Sequence, residues 1–396
     1  MTGDAVRERI DELRKRQVPI ASDPENLDGP IDPEVRITES YPRHRVALML
    51  DGQSVSELYV MDYRQQIGSS IVRMGGIADV ATREEHRFRG YMQRVLQSAL
   101  FWMRREGFDV SMLYGIRSFY PKHGYAPAFP RIKFTLPVRD AETVSPAGHR
   151  LERFRREHLR AVLKMYDANN AGRTGPIRRD PAVWEPFRKG AEWHSKARCE
   201  VALDGRGRPA GYIAYDTRHL TAIVIEVGCA TPHVFADLLL AAARRALRQR
   251  LERIEFVLPE DDAFIEFCKP LGMCKETRYL QDGEAMIRVI SVPAALTRVA
   301  DELASRMRGS GRLNIRTNLD GACVTWSRGG LRVTGPRVGA PSARMPQWAL
   351  AQLLYGYRTA AGLAACGVLR TTKAGLDVLE QMFPARPHFH HSVDYF

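Results

Sequence analysis

The stretch Val80-Ala-Thr-Arg-Glu-Glu-His-Arg-Phe-Arg-Gly-Tyr-Met92 constrains this chain more than any other, because it leads from a strand-like run through a glycine turn into an amphipathic helix. Apolar residues at Met92, Val95, Leu96, Ala99, Leu100 and Met103 share one helical face, and Gly107 supplies the stop. Upstream, Arg87-Phe-Arg-Gly90 leaves backbone N–H groups pointing out of the helix start, with the positive end of the helix dipole behind them. That arrangement suits a pyrophosphate. Gly90 lets such a ligand approach the backbone.

A length of 396 residues exceeds one ordinary core and predicts several domains. Hydrophobic content of 44% and charged content of 27% are those of a globular protein, and no apolar run reaches the roughly 18–20 residues of a membrane span. The charged N-terminus lacks the apolar core of a signal peptide, so a cytoplasmic protein is expected. Six scattered cysteines without a Cys-x-x-Cys pair argue against a zinc site or a disulfide framework. The net charge of +13 raises nucleic acid as a partner, yet Lys and Arg exceed Asp and Glu by one in residues 1–145, five in 146–290 and seven in 291–396. The excess avoids the unit with the phosphate cradle and comes with no RNA-binding motif or basic run. Neither a nucleic-acid nor a membrane partner is expected.

Along the chain, residues 4–17 read as a short charged helix and 22–33 as an extended Pro/Gly/Asp-rich arm. Strands follow at 45–50 and 56–67 around an Asp51-Gly52 turn, then at 70–81. After the cradle and its helix come a strand at 108–114 and the segment Ser118-Phe-Tyr-Pro-Lys-His-Gly-Tyr125. This order resembles the Gcn5-related N-acetyltransferase (GNAT) fold, whose acetyl-CoA motif is Q/R-x-x-G-x-G/A. Arg87 and Gly90 match it, Met92 replaces the small last residue, and Tyr120-Pro-Lys-His-Gly-Tyr125 stands where that fold carries its aromatic segment. The resemblance implies an acetyl-CoA site formed by Val80, Ala81, Thr82, Arg87, Phe88, Arg89, Gly90, Tyr91 and Met92.

From Leu151 a helix, strands near 200–203, 210–215 and 222–227, a helix through 235–247 and a strand at 253–258 repeat that plan. The equivalent turn, Val227-Gly-Cys-Ala-Thr-Pro-His-Val234, has no Arg/Gln-x-x-Gly, and Pro232 removes a donor, so this copy is expected to bind no CoA. A third, α+β unit follows Ser291, with a helix at 294–307, strands at 311–318, 321–327 and 330–334, and helices at 346–355 and 376–382. It resembles a sterol-carrier-protein-like domain. With Val292-Pro-Ala-Ala-Leu296, Leu353-Leu-Tyr-Gly-Tyr357 and a terminal Phe396, the whole resembles the enhanced-intracellular-survival (Eis) acetyltransferases over roughly residues 34–396. The expected fold is mixed α/β and α+β: an arm (1–33), a catalytic GNAT domain (34–145), a degenerate GNAT-like domain (146–290) and a sterol-carrier-like domain (291–396).

Acyl transfer to an amine needs a base, an oxyanion site and stabilisation of the leaving thiolate. The resemblance assigns Tyr120 as the acid; a phenol with an ordinary pKa near 10 is protonated at neutral pH. Alternatively it is a packing aromatic before Pro121, as Tyr125 is expected to be. The family's base is the C-terminal carboxylate, here on Phe396. A terminus containing Phe389, Val393, Tyr395 and Phe396 is unusually apolar for a frayed tail. Asp394 could add negative charge for a cationic acceptor. A backbone N–H near Val80 would meet the oxyanion. Gly75-Gly76 reads as a bulge, a close approach to CoA or a simple kink.

His388-Phe-His-His391 lacks a second ligand cluster, so solvated or locally bonded histidines are expected rather than a metal. Glu84 and Glu85 are expected to face solvent, and Trp184, Phe187 and Trp193 to form interdomain core. The family's first strand is followed by two helices that wall the acceptor pocket, whereas about ten residues (Arg36 to Arg45) stand in that place here. The wall is therefore expected to be missing or rebuilt, residues 4–17 being one candidate. The sequence thus implies an acetyl-CoA-dependent N-acetyltransferase acting on a primary amine of aminoglycoside, polyamine or lysine type, and the family's habit implies a homo-oligomer, a hexamer. The rival is a non-catalytic protein that holds CoA or binds an apolar ligand or a partner.

Overall fold

The computed structural model describes residues 27–280 and 283–396, so the helix expected at 4–17 lies outside the described residues. Strands β1 (Val35–Thr38), β2 (Arg43–Leu50), β3 (Gln53–Ile67) and β4 (Ser70–Thr82) form an antiparallel meander. Leu50 pairs with Gln53 across Asp51-Gly52, both with positive φ (48° and 77°), the twist that a two-residue hairpin turn requires. Helix α1 (Tyr91–Arg105) buries Val95, Leu96, Ala99, Leu100 and Met103 from the expected stripe. Gly107 at φ 72° ends it, and the Phe108 N–H donates back to the Met103 carbonyl. Strand β5 (Val110–Tyr114) then lies parallel to β4.

Beyond this point the chain does not respect contiguous domain boundaries. Strand β6 (Ala126–Pro127) stays with the first sheet, but β7 (Arg131–Pro137) crosses into a second one. There it joins β8 (Arg150–Arg153), β9 (Ala197–Leu203), β10 (Pro209–Asp216), β11 (Ile223–Cys229), β12 (Arg253–Phe256) and β13 (Cys274–Arg278), in the order β13-β7-β12-β11-β10-β9-β8. Helices α2 (Leu159–Asn169) and α3 (Phe235–Arg248) pack on that sheet. In return β14 (Ala285–Val289) inserts between β5 and β6, so the first sheet reads β1-β2-β3-β4-β5-β14-β6. Each sheet thus borrows one strand from the stretch of sequence, 34–145 or 146–290, expected to form the other. All five residues of β14 are buried, as befits a strand paired on both edges and covered on both faces. We expect a fragment of residues 34–145 to show no cooperative thermal transition by circular dichroism, because it lacks β14 and carries an unpaired β7.

The third unit holds β15 (Gly311–Arg316), β16 (Gly321–Ser327), β17 (Gly330–Thr334) and a short β18 (Ser342–Arg344) that the sequence reading missed, in the order β17-β16-β15-β18. The helix expected at 294–307 is two pieces, Val292–Arg298 and Ala300–Ala304. Its core is not separate: Leu296, Ile315, Trp326, Leu350 and Tyr355 pack in one cluster with Met74, Val110, Met112, Ile287 and Val289 of the first sheet. The third unit therefore covers the face of that sheet opposite α1.

Glu302 ties this junction to the β3–β4 hairpin. It accepts from the Ser69 N–H (2.7 Å) and hydroxyl (2.5 Å) and from Arg306 (2.6 Å), and it pairs with Arg386. Burial alone would raise its carboxyl, but these bonds and charges outweigh it and hold the pKa at about 2 instead of 4.5. A carboxyl depressed by folding stabilises above its unfolded value and loses that contribution as pH falls through the folded one. Glu302→Gln should therefore lower Tm at pH 7, with the gap to the native chain closing as the pH is taken from 4.5 towards 2. An equal gap at every pH would disprove the linkage.

Candidate active site

Strand β4 pairs with β5 only from Met74 to Ile77, opposite Val110 to Leu113, and then runs on to Thr82. Beyond Ile77, the side of β4 that faced β5 is released from that ladder. A bulge shifts the β3–β4 register between Glu57 and Tyr59, Asp79 takes φ 47°, and Val80 and Ala81 are exposed. The chain then turns through Glu84–His86, with Glu84 and Glu85 exposed, and Arg87 Nε donates to the Thr82 carbonyl at 3.4 Å. Phe88 (φ 64°) and Gly90 (φ 76°) take left-handed conformations just before α1. No side chain caps that helix, so its first N–H groups have no partner of that kind. Arg87, Phe88 and Arg89 are exposed around them.

These features fit a pyrophosphate: an uncapped helix start, an unladdered strand end and two guanidinium groups. Space does not demand glycine at 90, since a Cβ there would meet nothing within 4 Å; its φ does. Left-handed geometry costs a side chain about 1–2 kcal/mol. Gly90→Val should therefore raise KM for acetyl-CoA about tenfold, with little change in kcat, as measured by steady-state kinetics.

Tyr120 opens a short turn, Tyr120–His123, that Gly124 closes at φ 76°. Its ring fills the space a Cβ on Gly115 would need, 2.4 Å from that position, and sits in the core shared by α1, Ile77 and Leu113. Burial pushes its hydroxyl up to about 12, so the group stays protonated throughout the neutral range. Tyr125 is core, as expected; its hydroxyl lies 2.7 Å from the Ser111 hydroxyl.

Phe396 comes to the other face of the same strand pair. Its ring lies where a Cβ on Gly76 would be, 2.8 Å from that position, with Tyr63 and Tyr114 at centroid distances of 5.5 and 5.4 Å. A Cβ on Gly75 would lie 2.3 Å from Met103 Sδ on the α1 side. The ladder through both glycines is regular, so they mark neither a bulge nor a kink. They let a helix and the chain terminus press on β4 from opposite faces.

The tail before Phe396 is bonded to the second unit. The Phe389 N–H donates to the Thr174 carbonyl (2.8 Å), His390 Nδ1 meets the Gly175 carbonyl (3.1 Å), and His391 Nε2 meets Asn170 Oδ1 (3.0 Å). His388 Nδ1 meets the Arg386 carbonyl (2.9 Å). The three rings thus take three different protein partners, and His390 and His391 are buried rather than solvated. Burial lowers both, His390 to about 4. Asp394 was expected to offer charge to an acceptor, and the structure corrects this: its carboxylate takes two bonds from Arg179 (2.9 and 3.0 Å) and one from Trp184 Nε1 (3.2 Å). Trp193 is likewise exposed rather than core, whereas Trp184 and Phe187 pack with Val393.

Among the described residues only Glu39 to Pro42 separate β1 from β2, so no helices wall this side. A cavity of about 230 Å³ opens where the two sheets meet, lined by Tyr114, Tyr395, Arg131, Glu192 and Glu284 among others. Arg179, Tyr63 and Tyr114 went unnoticed in the sequence. Nothing local marks them, because each matters through a partner more than 200 residues away.

Residues 31–128 match the acetyltransferase (GNAT) domain family, so the cradle, α1 and Tyr120 belong to an acetyltransferase domain of the GNAT class. No curated protein matches the sequence. Among solved structures, a probable N-acyltransferase from Enterococcus faecalis V583 superposes with a TM-score of 0.72 at 16% identity over 90% of each chain. A GCN5-related N-acetyltransferase from Anabaena variabilis gives 0.71 at 19% identity, also over 90% of each chain. Eis1 from Mycobacterium abscessus gives 0.65 at 17% identity, over 89% of this chain and 90% of its own. At such identities these likenesses establish a shared fold across all three units. The expected mixed α/β architecture and the acetyltransferase class stand.

Proposed function

We propose that this chain is an Eis-type N-acetyltransferase that moves the acetyl group of acetyl-CoA to a primary amine by direct attack. The observation that carries the reading is the seat of Phe396 on Gly76, in the middle of the strand whose far end forms the phosphate cradle. Tyr120 and Phe396 flank the β4–β5 pair from opposite faces, so a thioester lodged where these strands part would have a proton donor on one side and a carboxylate on the other.

In this reading Val80 to Met92 hold the cosubstrate, with the amides of the α1 start and Arg87 and Arg89 on its phosphates. The backbone N–H near Val80 meets the oxyanion. The Phe396 carboxylate accepts the ammonium proton. An α-carboxyl is ordinarily a weak base, with a pKa near 3.5, and burial among Tyr63, Tyr114 and Gly76 would strengthen it. Tyr120 donates to the departing thiolate. With its hydroxyl at about 12 against a thiol near 8.5, full transfer of the proton is uphill, so Tyr120 serves as the acid by a hydrogen bond that stabilises the thiolate as the carbon–sulfur bond breaks. The amine would enter by the cavity beside Tyr114 and Tyr395, whose aromatic faces suit a cation, while Glu192 and Glu284 there are paired with Arg131 (3.6 and 2.9 Å).

The same reading makes the third unit sterol-carrier-like and the protein a cytoplasmic homo-oligomer, a hexamer. No helix among the described residues is long and apolar enough to cross a membrane. Met92 and the four-residue link between β1 and β2 favour the rival, a CoA-holding module without a defined acceptor. CoA release from acetyl-CoA, measured over polyamines, aminoglycosides and lysine peptides, separates the two. Tight acetyl-CoA binding with no amine acetylated would leave only the rival.

A further inference from the structure

The second unit lacks a cradle, yet it buries the most elaborate charged cluster in the described molecule. Arg179, whose side chain is wholly buried, donates to both oxygens of Glu226 (2.8 and 2.5 Å) and to both of Asp394 (2.9 and 3.0 Å). Its guanidinium lies 3.6 Å from the ring centre of Tyr166 and 4.3 Å from that of Trp184. Tyr212 donates to Glu226 (2.9 Å), and Trp184 and Tyr166 donate to Asp394 (3.2 and 3.4 Å). A buried cation shared by two carboxylates stabilises only when every polar group is met, and here the geometry meets them. Two residues beyond Asp394, Phe396 enters its seat on Gly76.

We propose that Arg179 is a latch: by gripping Asp394 it fixes the last turn of the tail, Ser392–Asp394, and so sets where the Phe396 carboxylate stands on β4. The degenerate unit then acts in the reaction without touching substrate, as the anchor of the first unit's base. Arg179 and Glu226 are positioning residues, and Asp394 is the piece they hold. The geometry explains why a guanidinium is needed, since its planar fork serves two carboxylates at once and an ammonium does not. The inference rests on Phe396 as the base and extends it.

The test compares four full-length chains: native, Asp394→Asn, one extended by two glycines after Phe396, and one with both changes. Asp394→Asn is the gentle variant, because it leaves the Arg179–Glu226 pair intact and charge-balanced. Arg179→Met repeats the comparison with the latch itself removed. For Asp394→Asn we expect kcat to fall at least tenfold with KM for acetyl-CoA within twofold, and carboxypeptidase to release Phe396 at least tenfold faster. In the extended chain, where the base is already displaced, Asp394→Asn should cost less than twofold more. An equal loss in both backgrounds would overturn the latch, as would an unchanged rate of Phe396 release. If extension alone leaves kcat untouched, the base assignment fails instead, and the release rate still decides whether Arg179 holds the tail.

Discussion

Two glycines added after Phe396 should slow kcat by about a hundredfold to ten-thousandfold, the range in which a positioned base contributes, while KM for acetyl-CoA changes less than threefold. The extension moves the carboxylate out of a seat that has no slack. The Phe396 ring fills the space a Cβ on Gly76 would take, and Tyr63 and Tyr114 close on it from the sides. The phosphate cradle lies at the other end of β4 and makes no use of the terminus, so cosubstrate affinity should survive. Steady-state kinetics with a saturating amine measure both quantities. An extended chain as active as the native one would remove Phe396 as base while leaving the acetyltransferase domain in place. Gly76→Ala offers an independent route to the same displacement, because its methyl would sit 2.8 Å from the ring. It should reproduce a large part of the loss.

Replacing Tyr120 by Phe should lower kcat about a hundredfold or more. The ring, which packs against Gly115, Phe119 and Tyr125, is kept, so the melting temperature should move little. Because burial pushes the hydroxyl up to about 12, its loss should erase no limb of the pH–rate profile below about pH 10; any limb in the neutral range must belong to another group. A Phe variant with native turnover would reduce Tyr120 to a packing aromatic, the alternative its sequence context left open.

Local features were legible from residues alone. The Asp51-Gly52 turn, the stripe from Val95 to Met103 and the stop at Gly107 each depend on conformational preferences and periodicities that span a few residues. The turn at Gly90 was legible for the same reason, as was the apolar tail, whose composition alone argued against solvent. The units fared less well. Residues 131–137 and 285–289 carry no strand assignment in the sequence reading, and β7 and β14 are exchanged between the two sheets. A strand's residue pattern specifies which faces are buried, not which edge it pairs with, and the exchange was therefore not legible locally.

The sequence by itself determined the glycine turn that leads into α1 and a terminus unwilling to meet water, because those follow from local spacing and composition, whereas Tyr120 as the acid is what the family resemblance implies. Only the tertiary structure decided what Asp394 does. Read locally it is a free negative charge near an acceptor; in the fold it is held by an arginine 215 residues earlier in the chain. The reason is the long range of the contact: burial turns Arg179, Glu226 and Asp394 from three ordinary charges into one grip, and burial is a property of the packed chain alone.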